Sequence, residues 1–131
     1  MFFAGCGDGR PSRVPVGGSV LIDGAPLKYG SIMFVPRDGS RSAGGSIDTD
    51  GNYRVSTFTA YDGLPVGTYD VTVAAIQPIS ETKQSWHAPK RYANVDTSGI
   101  AIEINGETDG LVIELTWEGD KHSKPFIEKV E

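Results

Sequence analysis

The chain has 131 residues, the length of one domain built around a single core. Its formal charge is −5 and its twelve Lys and Arg are scattered, which leaves no basic face to neutralise the phosphates of a nucleic acid. Seventeen glycines and eight prolines exceed what helices tolerate, and no run reaches the roughly 18 apolar residues that cross a bilayer, so membrane association needs an anchor.

Cys6 is the one residue able to supply an anchor, and as a lone cysteine it forms neither an internal disulfide nor a Cys-based metal site. Phe3-Ala4-Gly5-Cys6 reads as a lipobox, in which small residues before the cysteine suit a signal peptidase and the thiol accepts a diacylglycerol. Each buried methylene contributes about 0.8 kcal/mol, so two or more acyl chains on Cys6 would hold a soluble domain at a membrane. Phe3 stands where Leu is usual. Only Met1 and Phe2 precede the motif, whereas a signal peptide carries a basic start and an apolar stretch of about 7 to 15 residues. The reading therefore expects a start further upstream or a trimmed leader. Residues 1–18, rich in Gly, Pro and Ser after Cys6, form a lipobox remnant and flexible tether on this reading, and the domain is expected over 19–117.

From residue 19 short apolar runs alternate with turn signals every 8 to 12 residues or so, the pattern of an all-β sandwich or barrel. Seven strands are predicted. The first, 19–23, ends at Asp23-Gly24, with Pro26 beyond it lacking an N–H for the ladder. The second, 31–36, sets Ile32 and Phe34 on one face and Met33 and Val35 on the other. The third and fourth, 43–48 and 52–58, flank Thr49-Asp50-Gly51. A three-residue loop with Gly51 left-handed pairs Ile47 with Tyr53, whereas a two-residue Asp50-Gly51 turn would oppose Ile47 to Arg54 and split the apolar residues across two faces. The fifth, 67–76, alternates Tyr69, Val71, Val73 and Ala75 inward with Asp70, Thr72 and Ala74 outward, and is expected at the centre of a sheet. The last two, 100–104 and 111–117, are expected to form a hairpin about 105–110, with Ile102 beside Ile113 and Ile104 beside Leu111. Two segments carry no such pattern, the loop 80–99 and the charged tail 118–131. A short strand near the end of that tail is left unassigned, since its charge favours fraying.

With the strands placed, the order Val20-Leu21-Ile22-Asp23-Gly24-Ala25-Pro26-Leu27, Gly30-Ser31-Ile32-Met33-Phe34-Val35-Pro36, Asp48-Thr49-Asp50-Gly51-Asn52-Tyr53 and Pro65-Val66-Gly67-Thr68-Tyr69-Asp70-Val71-Thr72-Val73 resembles the carboxypeptidase regulatory-like, transthyretin-like domains of small bacterial lipoproteins. Lys90-Arg91-Tyr92-Ala93-Asn94-Val95-Asp96-Thr97-Ser98-Gly99-Ile100 is similar to the Tyr and later Thr-Ser-Gly those lipoproteins carry before the penultimate strand. The resemblance spans about residues 17–117. It implies a seven-stranded antiparallel Greek-key β-sandwich without a cofactor, displayed in the cell envelope. No catalytic residue follows from it.

Among the residues able to carry chemistry, Trp86, His87, Arg91 and Tyr92 in the long loop combine stacking surfaces, a titratable ring and a cation, the kit for gripping a sugar or a carboxylate. The competing reading has Trp86 and Tyr92 packing the loop onto the sandwich while His87 and Arg91 stay solvated. Asp48, Asp50 and Asn52 share a spacing with a calcium loop, but Gly51 is misplaced and Thr59 stands where a bidentate Glu belongs, so the segment reads as a turn and no metal is expected. Glu103 and Glu114 read as solvated outward positions, not a glycosidase pair. Neither His87 nor His122 sits in a nucleophile motif. Transthyretin-related hydroxyisourate hydrolases share the fold but carry an amino-terminal His and a terminal Tyr-Arg-Gly-Ser that this chain lacks. The expectation is a non-catalytic lipoprotein, exported and lipid-anchored in the bacterial cell envelope, whose partners are the membrane and an envelope protein or glycan. The alternative is a carbohydrate-binding module working through the 80–99 loop.

Overall fold

The computed structural model describes residues 12–129; Cys6 and the expected lipobox lie outside the described residues. Period-2 alternation dictates the architecture, which is all-β and sandwich-like. In chain order the strands are β1 (Val16–Ile22), β2 (Ala25–Pro26), β3 (Gly30–Pro36), β4 (Ala43–Ile47), β5 (Asn52–Arg54), β6 (Gly67–Ala74), β7 (Ile76–Pro78), β8 (Lys83–Trp86), β9 (Ile100–Ile104), β10 (Thr108–Leu115) and β11 (Phe126–Lys129). One short 3-10 helix, Lys90–Ala93, lies between β8 and β9.

The strands form three sheets. The first runs β4-β3-β6-β9 and is antiparallel throughout. The second is centred on β1, with β10 on one side and β5 and β2 sharing the other. The third is the small sheet β11-β8-β7. Ile32, Phe34, Tyr69, Val71, Val73 and Ile104 of the first sheet face Val16, Val20, Tyr53, Ile113 and Leu115 of the second in one continuous core. Phe34 sits at its centre, its ring 6.3 Å from that of Tyr53 and 6.1 Å, edge-on, from that of Tyr69. Burying each of these large side chains contributes about 1.5–3 kcal/mol.

All seven expected strands are present. As the alternation predicts, Ile32 and Phe34 are buried while Met33 is exposed, and β6 lies between β3 and β9 with Tyr69, Val71 and Val73 inward and Ala75 buried just beyond it. The 49–51 loop also takes the predicted form. Asp48 N–H donates to Asn52 O and Gly51 N–H to Asp48 O, each at 2.9 Å, with Gly51 at φ +84. Gly44 and Ser56 exchange backbone hydrogen bonds, which in register places Ile47 opposite Tyr53.

The expected hairpin of β9 with β10 does not form. β9 pairs with β6, setting Ile102 against Tyr69, and β10 pairs with β1, setting Ile113 against Val20 and Leu111 against Gly18. The segment 105–107 thus crosses from one sheet to the other, and Ile104 and Ile113 reach the core from opposite sides. Side-chain alternation fixes which face is buried, and two facing sheets satisfy it as well as one hairpin does. β10 also runs parallel to β1, so the sheets are not antiparallel throughout as expected.

Strand structure extends beyond the expected limits at both ends. Val14 exchanges backbone hydrogen bonds with Leu64 at 2.8 and 3.0 Å, β1 begins at Val16, and β11 in the charged tail pairs with β8 of the long loop. β5 ends at Arg54, short of the expected Phe58; an isolated bridge from Ser56 to Gly44 follows, and from Thr57 the chain turns around Asp62.

Candidate functional site

The loop singled out from the sequence is folded into the domain. Trp86 ends β8, is only 9% exposed, and its indole N–H donates to Glu128 Oε1 at 3.1 Å. Glu128 also accepts from Gln84 Nε2 at 2.9 Å and pairs with the Lys90 ammonium, so one carboxylate of β11 clamps the tail onto the loop. Tyr92, 7% exposed, accepts from Thr116 N–H at 3.1 Å. Arg91 Nη2 donates to the carbonyls of Thr116 and Glu118 at 2.8 and 3.1 Å and lies 3.7 Å from Asp120 through Nη1. His87 is hydrogen-bonded to Gln77 Oε1 at 2.9 Å and stacks on the Tyr29 ring at 5.4 Å. The four residues therefore point three ways: Trp86 to the tail, Arg91 and Tyr92 to the chain after β10, and His87 to β7 and Tyr29; His87 and Arg91 are thus partly buried and hydrogen-bonded, not solvated as the competing reading expected. Trp117 is buried too, edge-on to Phe126.

The turn at 48–52 is satisfied from within. Asp48 Oδ1 accepts the N–H groups of Asp50 and Asn52, both at 2.9 Å. Among the described residues no group of three or more His, Cys, Asp or Glu is placed to hold a metal ion. Glu103 and Glu114 are exposed and lie in different sheets.

A second feature was missed in the sequence. Between Ser56 and Leu64 the chain folds around the Asp62 carboxylate, which accepts N–H groups of Thr57, Phe58 and Thr59 at 2.7, 3.0 and 3.2 Å and pairs with Arg13 at 2.9 Å. Burial pushes this carboxyl upward, but the three donors and then the Arg13 charge outweigh it, and its pKa lies below the ordinary value of 3.8. Thr57 Oγ1 donates to Gly63 O at 2.6 Å, and Ser56 Oγ accepts Tyr61 N–H at 2.7 Å. Held this way, Tyr61 adopts φ +60, a left-handed backbone that a bulky residue seldom takes. The residue is nevertheless 60% exposed, with the Arg54 guanidinium 4.7 Å above its ring. The one sequence signal was Asp62-Gly63, a turn dipeptide closing a run of Ser and Thr.

Two open clefts meet at this pair, both bounded by Asn52, Arg54 and Tyr61. One, of 540 Å³, lies over β1 where Gly17 and Ser19 pair with Arg54 and Asn52, and its far wall is Glu107 to Gly110. The other, of 460 Å³, is lined by Gly45, Ser46, Asp48 and Ser56. The surface thus offers an aromatic face, a cation, an amide and carboxylates around a shallow floor. No family model, curated protein or solved structure matches the chain.

Proposed function

We propose that the chain is a non-catalytic binding or structural module of the bacterial cell envelope, exported by a signal peptide and tethered to a membrane through a lipid on Cys6. The finer fold reading, a seven-stranded Greek-key sandwich of the carboxypeptidase regulatory-like, transthyretin-like kind, belongs to the same proposal. The observation that carries it is how the polar side chains are spent. His87 is engaged by Gln77 and Tyr29, His122 stacks on Phe126 at 3.6 Å beside Asp120, and Arg91 is committed to backbone carbonyls. Neither imidazole is set against a hydroxyl in the manner of a base and its nucleophile. By contrast, a rigid turn holds Tyr61 out at an open surface, an arrangement suited to binding.

The tether is short. Arg13 is already tied to Asp62, and the seven peptide steps back to Cys6 span at most roughly 25 Å, so a lipid there would keep the sandwich close to the bilayer. The test is expression from the complete gene in a bacterial host, with membrane fractionation and intact-mass analysis of wild type and Cys6→Ala. The expected result is an acylated, membrane-bound chain beginning at Cys6, and soluble, unmodified protein from the variant. Unmodified soluble wild type would overturn the proposal.

A further inference from the structure

We infer that the two clefts meeting at Tyr61 form one saccharide-binding trough, which takes a neutral glycan chain. The inference rests on the binding half of the function proposed above and names its ligand. A tyrosine in the left-handed region is costly to hold, and here its N–H donates to Ser56 Oγ inside a turn that Asp62 and Thr57 close with their own hydrogen bonds, while the residue stays 60% exposed. That arrangement sets an aromatic ring at the rim of two clefts with the Arg54 guanidinium over one face, and the opposite face is the platform on which the C–H face of a pyranose ring would stack.

The polar groups around it select the charge of the ligand. The Arg54 side chain makes no hydrogen bond or ion pair among the described residues; its guanidinium lies over the Tyr61 ring with its N–H groups available to donate. Asn52 adds an amide, and Glu107 and Asp109 on the opposite wall accept. An anionic chain would meet Glu107 and Asp109, and a cationic one would meet Arg54. A polyol satisfies donors and acceptors together. Gly17, with no side chain, leaves the floor low beside Arg54, and because the two clefts share Asn52, Arg54 and Tyr61 they suit a chain of sugars better than a single ring.

The test is a backbone-amide NMR titration of the full chain with three neutral oligosaccharides at millimolar concentration, cellohexaose, maltohexaose and chitohexaose, with an oligogalacturonate and a lysine-rich peptide as charged comparators. At least one neutral oligosaccharide is expected to shift the resonances of Gly17, Arg54 and Tyr61. Tyr61→Ala is expected to weaken that binding by about fivefold to tenfold with an unchanged melting curve. The inference is overturned if no neutral oligosaccharide shifts these resonances, if the shifts fall on Trp86 to Tyr92 instead, if Tyr61→Ala binds as wild type does, or if only a charged comparator binds. Failure here with an intact Cys6 anchor leaves a tethered module with a structural role. Sugar products appearing in the same samples would instead overturn the non-catalytic reading.

Discussion

Asp62 shows how one side chain shapes a surface it does not itself present. Its carboxylate gathers three backbone N–H groups and the Arg13 charge, and so its pKa falls below 3.8. A carboxylate whose folded pKa is lowered stabilises fully above its unfolded value, and that contribution is lost as pH falls through the folded value. The turn is therefore expected to hold from neutral pH down to the ordinary carboxylate range and to loosen only below it. Asp62→Asn should lose about 1–3 kcal/mol at neutral pH and show a flatter acid limb, measured by denaturant titrations across pH. Tyr53 provides a second case: its hydroxyl donates to Leu111 O at 3.0 Å, and burial pushes its pKa well above the ordinary 10. Tyr53→Phe is expected to cost about 1 kcal/mol in the same measurement, because the Leu111 carbonyl is left without that donor.

At the scale of elements, β1 is the hinge of the topology, paired on one side with β10 and on the other with β5 and β2. The parallel ladder depends on Gly18, where an added Cβ would lie 1.9 Å from Leu111 O in β10. Gly18→Ala should therefore cost about 3 kcal/mol or more, checked by equilibrium unfolding. The tail behaves differently: besides its ladder with β8, β11 is held by Glu128 to Trp86, Gln84 and Lys90 at a partly exposed site. Glu128→Ala is expected to abolish hydrogen-exchange protection over 126–129 while the global melt shifts by about 1 kcal/mol or less. The tail strand was unreadable in the sequence for a related reason. Its pattern is charged, and its pairing partner is a four-residue segment inside what looked like a loop.

For the whole molecule, one core shared by two facing sheets predicts a single cooperative unfolding transition, and Phe34→Ala at its centre is expected to remove about 3–5 kcal/mol of stability, read by coincident fluorescence and circular dichroism transitions. What the sequence determined by itself is local: the all-β class, the inward residues of β3 and β6, and the 49–51 turn with its Ile47–Tyr53 register. Each follows from period-2 alternation or from the backbone freedom of Gly51 within a few residues of chain. Only the tertiary structure decided that β9 and β10 part to different sheets, that the Trp86 indole is sealed under Glu128, and that Asp62 props Tyr61 open to solvent beside Arg54. Those outcomes join residues far apart in the chain, as Glu128 and Trp86 or Asp62 and Arg13 are. Alternation records that a side chain is buried or exposed but carries no record of the neighbour that makes it so.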